Sequence, residues 1–371
     1  MLYCKYREQS CKMKVVEGNN DMTQVKLGRT GIISPKNAFG ALPIQRVDDE
    51  TAVRLLRKAY ANGFTFFDTA RAYSDSEHKI GLAMSQSYKT DGYDYIPREK
   101  ITIATKSGAT TPDGLRRDLE RSLNELGCGY IDIYQLHNPS FCPKPGDGTG
   151  IYETLLEFKA AGKIKHISIT NHRLNVAREA VTSGLYETLQ FPFCYLASDA
   201  DIELVKLCRD NDVGFIAMKA LSGGLITRSD AAYAFMLRYD NVLPIWGIQR
   251  ESELDEFISY FENEPASNEL DALIEHDREE LSGSFCRGCG YCMPCPAGIE
   301  IFNCARMSQL IRRSPSANWL TEDKQKMMEN ITNCKNCGHC KSKCPYGLDT
   351  PTLLRQNLDD YRKIVSGEIK I

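Results

Sequence analysis

The sequence predicts an α/β chain: a (β/α)8 barrel followed by a small, mainly helical second unit. Three observations carry this. Short apolar runs alternate with amphipathic stretches from Lys26 to about Glu264. The alternation covers roughly 240 residues, close to the usual length for eight β-α repeats. After Pro265 the apolar runs stop and cysteines cluster instead.

In chain order the apolar runs are AFGAL (38–42), GFTFFDTA (63–70), ITIATKSG (101–108), YIDIYQLHNP (130–139), IKHISITN (164–171), TLQFPFCYL (188–196), GFIAMKAL (214–221) and NVLPIWGIQ (241–249). The first is the weakest. Rich in Ile, Phe, Tyr and Thr, they read as buried strands. Helical patterns lie between them, as at 48–63, 111–127 and 199–214. Several end in glycine (Gly63, Gly127, Gly162, Gly184 and Gly214), as helix C-termini do. The rival is an open doubly wound sheet. It usually carries a G-x-G-x-x-G turn after its first strand, and none occurs here.

Composition narrows the function classes. A net charge of −3 over 371 residues gives no general attraction for nucleic acid. No apolar run approaches the ~20 residues of a membrane helix. The first residues are polar (Lys5, Arg7, Glu8, Lys12, Lys14), unlike a secretory signal, so a cytoplasmic protein is expected. Residues 1–21 read as an extension, 22–265 as the barrel and 266–371 as the second unit.

In such barrels chemistry sits at the C-terminal ends of the strands. Asp68, Lys106 and His137 occupy three of those ends, and Tyr73 follows Asp68 in its loop. Singly, each has an ordinary reading: a helix cap, a solvated lysine, a structural histidine, a packing aromatic. Together they make a device that gives a proton to an oxygen. A phenol of pKa ~10 is a weak acid at neutral pH. A buried ammonium beside it is expected to lower that pKa, and an aspartate to hold the ammonium in place. An imidazole can orient the substrate oxygen. Carbonyl reduction needs such a device.

The segments FFDTARAYSDSE, IATKSG, YQLHNP, GKIKHISITN and LQFPF resemble the aldo-keto reductases, NAD(P)H-dependent (β/α)8-barrel enzymes, over roughly residues 24–264. The resemblance implies a catalytic tetrad of Asp68, Tyr73, Lys106 and His137. It implies a nicotinamide site, for NADPH or NADH, at Thr170, Asn171, Gln190, Met218, Gly247 and Arg250. This chain departs from the family pattern in having Ser74 where many members have glycine, Met218 where an aromatic ring is usual, and Glu253 near the expected 2′-phosphate site.

Fifteen cysteines are many for an enzyme of this size. The run Cys334-x2-Cys337-x2-Cys340-x3-Cys344-Pro345 has the bacterial ferredoxin spacing for [4Fe–4S] clusters, and Cys286-x2-Cys289-x2-Cys292-x2-Cys295-Pro296 differs by one residue in its last gap. Three closely spaced thiolates grip one cluster, and the cysteine before proline reaches the neighbouring one. One cluster is therefore assigned to Cys286, Cys289, Cys292 and Cys344, the other to Cys334, Cys337, Cys340 and Cys295. Zinc is the alternative. Cys128, Cys194, Cys208 and Cys304 read as packing. The arrangement resembles the aldo-keto reductase branch fused to a ferredoxin-like dicluster domain.

Three classes of function remain open on this reading. A nicotinamide reduces a small-molecule carbonyl while the clusters are structural or sense redox state. Alternatively, a ferredoxin or flavoprotein partner feeds electrons through the clusters to the barrel. In the third, the chain is chiefly an electron-transfer partner.

Overall fold

The computed structural model describes residues 23–90, 92–265, 268–281, 285–313 and 316–370. The expected extension, 1–21, lies outside the described residues.

Strands β1 (Gln24–Lys26) and β2 (Ile33–Pro35) form an antiparallel hairpin. Strands β3 (Ala38–Gly40), β4 (Phe66–Asp68), β5 (Thr102–Ser107), β6 (Ile131–His137), β7 (Ile164–Thr170), β8 (Thr188–Pro192), β9 (Gly214–Met218) and β10 (Val242–Gly247) pair in parallel, in chain order. The sheet closes where β10 meets β3, with Ile245 opposite Ala38 and Gly247 opposite Gly40. Each expected run, the weak first one included, contains a strand, so the barrel reading stands and the open sheet does not.

Side chains alternate along each strand. In β4, Phe66 packs inside the barrel, while Phe67 joins the apolar layer between strands and helices. The hairpin plugs the barrel's N-terminal end: Val25 and Leu27 pack against Phe66, Ala104, Ile133, Ile216, Leu243 and Ile245. Gly28 follows at φ 49°, where a Cβ would lie 2.4 Å from the Asp212 carbonyl oxygen, so only glycine lets the hairpin come this close.

Helices α1 (Asp49–Ala61), α2 (Ser76–Met84), α3 (Pro112–Leu126), α4 (Ile151–Ala160), α5 (Leu174–Thr182), α6 (Asp199–Asp210), α7 (Ser229–Leu237) and α8 (Glu251–Glu262) alternate with the strands. Local sequence sets their ends. The Asp48 side chain accepts from the Thr51 amide at 2.7 Å, Ser198 and Asp201 form a capping box, and Gly127 ends α3 at φ 61°.

Helix α9 (Asn268–Glu280) follows the expected boundary at 265. Its Leu270 and Ile274 are buried in the barrel's outer core, and it packs on α7. The polar sequence after Pro265 hid this because only one face of α9 is apolar.

The second unit contains α10 (Ile301–Cys304), α11 (Met307–Arg313), α12 (Glu322–Glu329), α13 (His339–Lys343) and α14 (Thr350–Val365), with no strand among its described residues. Its core gathers Ile299, Met307, Met328, Ile331, Leu354 and Tyr361 with several cysteines.

Gly81 lets α2 press against the end of α3, where a Cβ would meet the Glu125 carbonyl oxygen at 2.3 Å. Gly81→Ala is expected to cost about 1–3 kcal/mol, as overpacking does. Urea denaturation should show a lower midpoint with an unchanged slope.

Candidate active site and cysteine cavities

Parallel register brings the expected residues to one end of the barrel. Asp68 is opposite Ala104, Lys106 opposite Gln135, His137 opposite Thr170, and Thr170 opposite Gln190. Lys106 Nζ donates to Asp68 Oδ2 and to the Thr69 carbonyl, each at 2.6 Å. Gln135 Nε2 donates to Gln190 Oε1 at 2.8 Å and reaches Asp68 Oδ1 at 3.4 Å. Asp68 and Lys106 are only 2% and 1% exposed. Burial raises the Asp68 pKa against the opposing pull of Lys106, and it lowers that of Lys106 against Asp68. Each charge persists because the other answers it.

Tyr73 and His137 lie above this pair. The Lys106 ammonium is 4.9 Å from the centre of the Tyr73 ring, and the His137 ring meets it edge-on at 6.0 Å. Among the described residues the Tyr73 hydroxyl takes no hydrogen bond from either neighbour. The expected lowering of its pKa is therefore not seen. Burial, and then the Asp68 carboxylate, push the phenol above its usual value. Lys106 faces the ring rather than the oxygen, and its charge is already matched. Burial, then Lys106, brings His137 down to about 3, so its imidazole is neutral.

Ser74 sits at φ 38°, a left-handed position. Glycine would hold it without strain. Here the Ser74 hydroxyl donates to Gln45 Oε1 at 3.1 Å instead.

The six residues expected to hold nicotinamide divide into two groups. Thr170, Gln190 and Met218 lie on adjacent strand ends, with Thr170 Oγ1 3.8 Å from the Met218 sulfur. Of the other three, Asn171 and Arg250 are engaged by protein partners. Asn171 donates to the Pro139 carbonyl at 2.9 Å and accepts from the Arg173 amide at 2.8 Å. Gly247 is exposed, and Arg250 pairs with Glu253 at 2.7 Å.

The second unit covers part of the same barrel end. The His172 Nδ1 and the Tyr346 hydroxyl share a hydrogen bond at 2.6 Å, and Tyr291 meets the His172 ring edge-on at 4.9 Å. Tyr291 also lies close enough to Tyr73 for the two phenols to act on one another electrostatically. The sequence reading missed these three residues. Its available signal was position: Tyr291 lies inside the first cysteine run, and Tyr346 follows Cys344-Pro345.

The cysteines line two separate cavities. Cys286, Cys289, Cys292 and Cys344 line one, and Cys295, Cys334, Cys337 and Cys340 line the other. Among the described residues no three of these sulfurs fall within 4.8 Å of one another. A zinc tetrahedron with ~2.3 Å bonds needs sulfurs ~3.8 Å apart. The wider quartets fit a cuboidal cluster better. Away from both cavities, Cys304 and Cys208 are fully buried, and Cys128 approaches the Tyr130 carbonyl at 3.2 Å.

The Aldo/keto reductase family matches residues 37–232, and the 4Fe-4S dicluster domain matches residues 285–349. The chain belongs to the aldo/keto reductase family. This family member is 30% identical over 227 residues to the uncharacterized oxidoreductase YrpG of Bacillus subtilis (strain 168), a match covering 55% of this chain and 68% of that one. It is 28% identical over 238 residues to the NADH-specific methylglyoxal reductase of Escherichia coli (strain K12), covering 56% and 69%. Against the probable aldo-keto reductase 1 of Glycine max it is 27% identical and spans 60% of that protein's length. A Klebsiella pneumoniae aldo-keto reductase solved in complex with NADPH shares the fold, with a TM-score of 0.58 and 20% identity over 69% of this chain and 95% of that one. No helix of the described residues is long and apolar enough to cross a membrane.

Two outcomes follow for this aldo-keto reductase. Asp68→Ala leaves a buried ammonium unpaired and is expected to cost about 3–5 kcal/mol in urea denaturation, with Asp68→Ala/Lys106→Met recovering part of the loss. The His137 pKa falls on folding from near 6.5 to about 3. Over that interval the unfolded chain binds the extra proton, so this group's contribution makes stability fall as pH drops from about 6.5 towards 3. NMR of the ring should show a neutral imidazole from pH 8 to 5.

Proposed function

We propose that the chain is an oxidoreductase that reduces a carbonyl group of a small molecule at Tyr73, with two [4Fe–4S] clusters in its C-terminal unit. The observation that carries this reading is the buried Asp68–Lys106 pair beneath Tyr73 and His137. Nothing structural requires two ions there, since apolar residues of similar volume would pack as well.

Reduction to the alcohol takes two electrons and two protons: carbon receives the electron pair and one proton, together as a hydride or in separate steps, and oxygen receives the other proton. Tyr73 is protonated at neutral pH, as an ordinary phenol is, and burial raises its pKa further. It gives up its proton only as an alkoxide-like, more basic oxygen develops beside it. The Lys106 ammonium lies 4.9 Å from the centre of the Tyr73 ring, paired with Asp68. Neutral His137 donates one hydrogen bond to the substrate oxygen and so fixes its direction.

Cys286, Cys289, Cys292 and Cys344 would hold one cluster, and Cys334, Cys337, Cys340 and Cys295 the other. The two clusters, when bound, supply single electrons, whereas a nicotinamide supplies a hydride. A second reading has the electrons arrive through the clusters from a ferredoxin or flavoprotein. Tyr291 and Tyr346, which belong to the first cavity's own loops, favour it by packing on His172 beside the barrel site. The engagement of Asn171 and Arg250 favours it too. For the nicotinamide reading, Thr170, Gln190 and Met218 would bear on the ring.

Tyr73→Phe is expected to lower turnover by roughly 10²–10⁴-fold, the scale for a positioned acid, with iron content unchanged. Near-normal carbonyl reduction by this variant would place the proton donor elsewhere. Anaerobic mixing of the cluster-loaded protein with NADH, NADPH or a reduced ferredoxin separates the electron sources by which of them bleaches the cluster absorbance. Cys344→Ala should damage the cluster of Cys286, Cys289 and Cys292 and spare the other, read by EPR of the reduced protein. Damage confined to the other cluster would refute the exchanged ligand.

A further inference from the structure

Two cations, buried Arg306 and half-buried Lys219, stand against the first cysteine loop, and neither meets a carboxylate among the described residues. Lys219, at φ 57° just after β9, donates from Nζ to the Arg287 carbonyl at 3.5 Å. Arg306, 8% exposed, lies between Gly223 of the barrel and Gly288 of the loop. A Cβ on either glycine would come within 2.8 Å of its guanidinium. Its Nε donates to the Phe302 carbonyl at 3.0 Å and its Nη1 to the Ser222 carbonyl at 3.5 Å. Both cations thus lie against the backbone between Cys286 and Cys289, Lys219 at Arg287 and Arg306 at Gly288.

Unpaired buried cations are costly and persist where a negative group answers them. Four thiolates around an iron–sulfur core form such a group, and it gains one further negative charge on reduction. A fixed cation therefore stabilises the reduced form more than the oxidised form. The second cavity differs. Lys335, Lys341 and Lys343 around it are exposed, so water and salt screen them, and Cys337 is itself exposed.

We infer that Lys219 and Arg306 hold the first cluster at a higher reduction potential than the second, so that electrons entering at the exposed Cys337 end collect at the cluster facing the barrel. This rests on the reading that the two cavities hold clusters. The step moves one electron from the second site to the first. The second site is oxidised, the first is reduced, and no proton is transferred. A ferredoxin-type one-electron carrier re-reduces the second site.

The test is an EPR-monitored redox titration of the full, cluster-loaded chain and of Lys219→Met, Arg306→Met, Lys219→Arg and Arg306→Lys. In the unaltered protein two potentials are expected. Each methionine variant should lower the higher one by a tenfold change in its one-electron equilibrium, about 59 mV, and leave the lower one in place. The charge-conserving variants should hold the higher potential near its original value. Should Arg306→Met lose its fold, seen as lost iron, Lys219→Met still decides. Full iron with both potentials unmoved in Lys219→Met, or movement of the lower potential instead, overturns the inference and leaves the cluster reading intact. An unaltered protein with no iron–sulfur signal overturns both.

Discussion

The interior of the barrel depends on one ion pair. Asp68 and Lys106 are removed from water, and each would be untenable alone. Their requirement propagates outward. Gln135 and the Thr69 carbonyl satisfy what the pair leaves open, and Gln190 in turn satisfies Gln135. A polar layer thus sits on the apolar layer of Phe66, Ala104, Ile133 and Ile216, and the hairpin seals the end below. That layering makes the other end of the barrel the place for chemistry. Tyr73 and His137 inherit their electrostatics from it: the same burial raises the phenol's pKa and lowers that of the imidazole.

Much of this was legible before any coordinates. Strand spacing carries the barrel, because a buried parallel strand must be short and apolar and its helix must return the chain. Strand ends carry Asp68, Lys106 and His137, because the last inward position of a strand is the mouth. The cysteine runs carry two quartets, since the proline after each fourth cysteine turns the chain away, and the cavities group those same residues. The packing of α9 on the barrel was not legible, because composition reports polarity, not which face is covered. The Tyr73 pKa was misjudged in sign. Residue types suggest that an ammonium is near a phenol, but not that it faces the ring and is already neutralised. His172, Lys219 and Arg306 escaped notice because their partners lie far along the chain, where no spacing rule reaches.

The family portion and the cysteine-rich portion constrain each other at the barrel mouth. The loop after β9 receives Arg306 from the second unit, and the loop after β7 offers His172 to Tyr346. Those loops belong to the barrel, yet part of their polar capacity is spent on the other unit. Asn171 is committed to Pro139 and Arg250 to Glu253. The departures at Ser74 and Met218 fall within the same region.

The assignment of α9 to the barrel has a consequence for how firmly the two units stay together. Only the four residues 281–284 separate the end of that helix from Phe285. So short a tether confines the second unit to a small volume above the barrel, equivalent to a local concentration in the millimolar range or higher. The tyrosine–histidine hydrogen bond, weak between two free proteins, is reinforced by that proximity, and it acts together with the buried Leu225, Phe285 and Leu310, which join the two units by apolar contact.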